Sequence, residues 1–275
     1  MSWQHGGLAE WTDGDKTAHL SVVFSWNLQA AYQRAVWWRS LGYTVRAGGP
    51  AVTLNPGYLA GVAELGGAVD ALPYHNPDAT FTSRGCIRRC SFCAVPRIEG
   101  DLIELDDWPV RPIICDNNLL ATSRTHFDRV IDRLKGVKGV DFNQGLDARL
   151  LTAHHASRLA ELDLYAVRLA WDDTRTERQF MAAYHTLTDA GIPPRMIRVY
   201  VLIGYNDTPD DAMYRLQTVK DLGSRPNPMR YQPLDANKRN EYVGPGWTEL
   251  ELKRFTRYWS RLRWLEHVPF EEYAP

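Results

Sequence analysis

From about residue 77 to 231, short apolar runs alternate with stretches whose apolar residues recur every three or four positions, the periods of strand and helix in turn. The runs at 79–83, 112–115, 140–142, 165–170, 196–203 and 228–231 are predicted strands, each bounded by Gly, Pro, Asp or Asn. Phe127, Val130, Ile131 and Leu134 mark one face of a helix starting near His126, and helices are predicted over 153–162 and 178–190. Thr208-Pro209-Asp210-Asp211 then supplies a cap, a first-turn proline and acids suited to a helix N-terminus, for a helix running to Gly223. Such repeats predict the α/β class, with a parallel sheet and helices outside, and fit a partial (β/α)6 TIM-like barrel.

Ahead of the repeats, 19–26 is rich in β-branched and aromatic residues and predicts a buried strand. Asn27 is placed to cap a helix in which Leu28, Ala31, Tyr32, Ala35 and Trp38 share a stripe, and Gly42 ends it before a strand at 43–45. This is a small βαβ, reduced Rossmann-like appendage over 1–75, with the main domain over 76–275. Residues 1–18 show no usable period and are expected to be loose. The glycines at 48, 49, 57, 61, 66 and 67 predict turns and no phosphate cradle, since no G-x-G-x-x-G follows a strand. At the other end, Thr248 and Glu251 form a capping box before the stripe Leu252, Phe255, Trp259 and Leu262.

Composition narrows the class. Of the 275 residues 44% are hydrophobic and 24% charged, with a formal net charge of −1, which argues against a surface that coats polyanions generally. No apolar run approaches a membrane span and no signal-peptide h-region opens the chain, so a cytoplasmic protein without membrane contact is expected. Three of the four cysteines, Cys86, Cys90 and Cys93, fall in C-x3-C-x2-C spacing, which is no disulfide framework. Thiolates are soft ligands for zinc or for iron in an iron–sulfur cluster. A closed zinc site wants a fourth ligand, and none lies nearby in sequence. A cubane cluster on three cysteines instead keeps one iron open.

The stretch Thr-Ser-Arg-Gly-Cys-Ile-Arg-Arg-Cys-Ser-Phe-Cys resembles the cluster loop of the radical S-adenosylmethionine (radical SAM) enzymes, including the aromatic Phe92 before the third cysteine. With Asp-Asn-Asn-Leu-Leu-Ala, Asp-Phe-Asn-Gln-Gly-Leu-Asp-Ala-Arg and Val-Tyr-Val-Leu-Ile-Gly-Tyr-Asn, it is similar to a functionally undefined subgroup found in anaerobes and phages, over roughly residues 75–273. The resemblance implies the same partial barrel, a [4Fe-4S] cluster on Cys86, Cys90 and Cys93, and S-adenosylmethionine chelated at the open iron. It also implies cleavage to a 5′-deoxyadenosyl radical that takes hydrogen from a substrate. An upstream cobalamin domain is not implied here, because the segment is short and lacks Asp-x-His-x-x-Gly.

Polar residues collect where the predicted strands end. The resemblance places Phe92 and Asp116, Asn117 and Asn118 at the cofactor, the last three where the methionyl amino group binds, although the usual Gly-Gly-Glu is absent. Ile203, Gly204 and Tyr205 match the strand end whose backbone meets adenine. Gln144 and Arg168 are assigned to the cofactor, and Asp147, Arg149, Asp172 and Asp173 to the substrate; ion pairs that merely hold the rim are the alternative for each. Cys115 is expected to be a buried strand cysteine. Arg84, Arg88, Arg89 and Arg97 would attract an acidic electron donor such as a flavodoxin or ferredoxin. The substrate stays open among a nucleobase derivative, a peptide and a small metabolite. A reading from another class uses the triplet for zinc and Arg254, Arg257 and Arg261 for nucleic acid, as a non-catalytic module.

Overall fold

The structure, a computed structural model, describes residues 2–66, 70–265 and 267–275; Gly67, one of the predicted turn glycines, lies outside them. It divides the chain into two compact units, one of 1–79, 88–100 and 232–241, the other of 80–87, 101–231 and 242–275.

The first unit is built on a five-stranded sheet in chain order, β1 (Ser2–His5), β2 (Leu8–Thr12), β3 (Thr17–Val22), β4 (Thr44–Gly48) and β5 (Glu64–Leu65). The helix α1 (Leu28–Ser40) connects β3 to β4, which pair in parallel, giving the predicted βαβ unit. The stretch 1–18, expected to be loose, instead supplies from Ser2 onward β1, β2 and the start of β3, paired as an antiparallel meander. The period was masked because Glu10 occupies an inward position of β2. Its buried carboxylate accepts from Arg34 Nε at 2.8 Å, Arg34 Nη2 at 2.6 Å and Trp38 Nε1 at 3.3 Å. A charged residue reads as surface in sequence, whereas here α1 supplies its partners. Leu28, Ala31, Ala35 and Trp38 of α1 are buried as predicted, while Tyr32 is exposed. Asn27 precedes α1 without capping it; its Nδ2 donates to the Gly6 carbonyl at 2.7 Å. Short helices α2 (Pro50–Leu54), α3 (Leu72–His75) and α4 (Val95–Ile98) complete the unit, with α4 packed on α2.

The second unit carries a six-stranded parallel sheet in the order β13-β12-β11-β10-β9-β6. These are β6 (Ala79–Thr80), β9 (Ile113–Ile114), β10 (Val140–Phe142), β11 (Leu164–Ala170), β12 (Ile197–Ile203) and β13 (Arg225–Arg230). Because spatial order follows chain order, every crossover steps the same way, and right-handed crossovers then set the connecting helices against one face. Those helices are α5 (Arg124–Leu134), α6 (Ala153–Leu159), α7 (Glu177–Asp189) and α8 (Pro209–Asp221). Phe127, Ile131, Phe180, Leu187, Leu216 and Val219 of the helices pack with Val140, Val167, Leu169, Val199 and Val201 of the strands in one core. The helix α9 (Glu249–Ser260) adds Leu252, Phe255 and Trp259 to it, behind the predicted capping box.

One predicted strand divides. The run at 79–83 becomes β6 and, after a break, β7 (Ser83–Arg84), which leaves the parallel sheet and pairs antiparallel with β8 (Ile103–Glu104). This pair closes the base of the cysteine stretch. Gly85, at φ +74°, turns the chain out of β7 in a conformation that glycine adopts without a Cβ clash. No described helix is long and apolar enough to cross a membrane.

Candidate functional site

Parallel strands end on one edge, so the residues that follow β9, β10, β11 and β12 share that edge of the second unit. Cys86 lies two residues beyond β7 and is buried. Asn118, after β9, is 2% exposed, and its Nδ2 donates to Cys86 Sγ at 3.4 Å and to Asp147 Oδ2 at 3.4 Å. Its Oδ1 is buried and takes no donor among the described residues. Asp147, after β10, is gripped by Arg149 through Nε–Oδ1 at 2.7 Å and Nη2–Oδ2 at 3.0 Å. Asp172, after β11, accepts from the Leu202 amide at 3.3 Å. Protein atoms ring its carboxyl, and that burial pushes its pKa up to about 6 against the attraction of Arg215 and Arg149. Cys86, Asn118, Asp147, Arg149 and Asp172 are thus gathered at one edge. With the Arg149 fork spent on Asp147, the carboxamide, the thiol and the partly uncharged carboxyl can hydrogen-bond a polar ligand and exchange a proton.

Other residues assigned from sequence are engaged with the fold. Asp116 takes the Thr82 amide at 2.6 Å, Thr82 Oγ1 at 2.5 Å and Ser83 Oγ at 2.7 Å, so its carboxylate ties β9 to the strand that feeds the cysteine stretch. Burial raises its pKa and these donors oppose the rise. Arg168 spends its fork on Asp141, at 2.7 and 2.5 Å, and donates to Tyr200 Oη at 2.8 Å. Asp173 caps the turn at 174–176 by accepting from the Arg175 amide at 2.8 Å and from its guanidinium, which holds its pKa low. Asn117 is half-buried beside Asp116, while Gln144 is exposed. Cys115 is buried, and desolvation with the Asp116 charge pushes it to about 11, an inert thiol at neutral pH.

Ile203 is fully buried at the end of β12, and its carbonyl accepts from the Tyr231 amide at 2.9 Å. Gly204 turns the chain at φ +77°, and a Cβ on Gly244 would stand 2.3 Å from the Gly204 oxygen, so the two backbones touch. Tyr205 lies against Tyr231 with ring centroids 4.6 Å apart. Asp207 holds this turn by accepting from the Gly204 amide at 2.8 Å and the Tyr205 amide at 3.2 Å. Behind it, the fully buried Arg215 donates to Asp207 Oδ2 at 2.5 Å and to the carbonyls of Trp171 and Leu202, both at 3.0 Å. Sequence reading missed both residues. Its one signal was an arginine inside the apolar stripe Ala212, Arg215, Leu216, Val219.

In the first unit, the Cys93 amide donates to the Cys90 carbonyl at 3.0 Å, and Cys90, Phe92 and Cys93 are half-buried. Arg89 and Arg97 are exposed there. Arg84, in the second unit, lies 3.8 Å over the Phe81 ring. Among the described residues no three His, Cys, Asp or Glu side chains form a ready metal-binding group. In the tail, Arg254 is engaged with the Phe270 carbonyl and ring, whereas Arg257 and Arg261 are exposed. No family model matches the chain, and the comparison with curated proteins returns no match.

Proposed function

We propose that the chain is a radical SAM enzyme on a partial (β/α)6 barrel, with a [4Fe-4S] cluster on Cys86, Cys90 and Cys93. The observation that carries this reading is Asn118, a buried carboxamide that donates to Cys86 sulfur and whose buried carbonyl takes no donor among the described residues. Three thiols within eight residues are the donor set an iron–sulfur cluster takes. The orphaned carbonyl beside one of them suits an ammonium, as the methionyl amino group would supply. A strand order that never reverses is what a singly wound barrel needs. When bound, the cluster and S-adenosylmethionine supply an electron and a 5′-deoxyadenosyl radical for hydrogen abstraction.

The residues have divided work in this reading. Asp116 fixes Thr82 and Ser83, and so the point from which the cysteine stretch departs. Asp172 meets the substrate as a proton carrier poised near neutral pH, and Arg149, its fork spent on Asp147, holds that carboxylate in place. The Gly204 turn, locked by Asp207, presents backbone to the adenine. Exposed Arg89 and Arg97 draw an acidic electron donor of flavodoxin or ferredoxin type.

Anaerobic reconstitution tests the reading. Iron and sulfide should each reach about four per chain, with 5′-deoxyadenosine released on reduction in the presence of S-adenosylmethionine. C86A, C90A and C93A should each lose both the chromophore and the nucleoside, whereas C115A should keep both. Tightly bound zinc without cleavage would instead establish the binding-module alternative.

A further inference from the structure

We infer that Asn118 sets the reduction potential of the metal centre by donating a hydrogen bond to the Cys86 ligand sulfur, and that Asp147 fixes the orientation that makes it a donor. The inference rests on the cluster reading and adds a role for a side chain otherwise assigned only to the cofactor.

A carboxamide presents two different ends. One end donates and the other accepts, and which end faces a neighbour follows from that neighbour's needs. Asp147 Oδ2 lies 3.4 Å from the Asn118 end that also faces Cys86 Sγ. A carboxylate repels a carbonyl oxygen and accepts from an amide, so this end is the NH2. Asp147 cannot readily turn away, because Arg149 holds both of its oxygens and the Arg149 amide adds a bond at 3.1 Å. Burial of Asn118 removes competing water. The sequence Arg149, Asp147, Asn118, Cys86 is therefore a chain in which each group orients the next, ending in N–H against sulfur.

A donor on a ligating thiolate favours the more electron-rich state, so it makes the centre easier to reduce. Asn118→Leu keeps much of the volume and removes the donor. The expected result is about a tenfold smaller equilibrium constant for one-electron reduction, a midpoint about 59 mV more negative. Asn118→Ala, which cannot overpack the site, should shift in the same direction. The readout is a redox titration of the reconstituted protein followed by electron paramagnetic resonance, with iron content and an unfolding curve to show that each variant is loaded and folded. Loaded N118L and N118A with midpoints equal to wild type would overturn this inference and leave the cluster reading standing. Failure of the wild-type chain to take up a cluster would overturn both.

Discussion

At the residue scale, Asp172 has a charge that works against the fold. Its folded pKa stands at about 6 against an ordinary value of 3.8. Below the ordinary value both folded and unfolded chains hold the proton and the site costs nothing. As pH rises through the folded value, the unfolded chain has already released its proton and the folded chain must give up a buried one, so stability falls. With 1.36 kcal/mol per pKa unit, the loss reaches up to about 3 kcal/mol at neutral pH. Asp172→Asn keeps an acceptor for the Leu202 amide and removes the charge. Urea unfolding should show D172N within about 0.5 kcal/mol of wild type at pH 4 and more stable by about 2 kcal/mol at pH 7.5. Equal curves at both pH values would mean that the carboxyl is solvated. Residues of this kind were legible only as polar positions at strand ends. Whether Asp172 stood near Arg149, or Arg168 fell to Asp141, depends on which strands are neighbours, and spacing along the chain does not carry that.

Elements were read more accurately, for a physical reason. Runs rich in apolar and β-branched residues with capped helices between mark strands whose one face is buried, so 165–170 and 196–203 were placed within a residue or so of β11 and β12. The last strand was read short because Pro226 and Pro228 remove backbone donors; β13 tolerates them as the edge of its sheet. The 79–83 run misled because its second half serves a different pairing. What joins elements to one another was least visible. Arg215 of α8 binds the ends of β11 and β12 and the turn residue Asp207, and without it Asp207 is a buried carboxylate with its cation removed. R215M should cost about 3–5 kcal/mol in denaturant unfolding. R215K should recover less than half, since an ammonium cannot serve two carbonyls and a carboxylate in fork geometry. A loss below about 1 kcal/mol for R215M would show that water takes over these partners.

For the whole molecule, the division of the chain falls within the cysteine stretch. Cys86 belongs to the unit holding the six-stranded sheet, while the segment 88–100, with Cys90 and Cys93, belongs with residues 1–79. Within that first unit α4, directly after Cys93, packs on α2. The N-terminal segment was read as a small appendage; under the proposed cluster reading it would also hold the segment that carries Cys90 and Cys93. A fragment of residues 80–275 separates the two roles. It keeps the core formed by Phe127, Val167, Leu169, Val201 and Phe180, so its far-ultraviolet circular dichroism and cooperative unfolding should persist. Lacking α2, it leaves the segment with Cys90 and Cys93 without its packing partner, and the entropy of ordering that stretch must come from metal binding alone. Reconstitution should then give well under half the iron of the full chain. Adding back residues 1–79 as a separate polypeptide should recover part of it. Full iron uptake by the fragment would show that the cysteine stretch orders itself, and that the N-terminal sheet serves some other purpose.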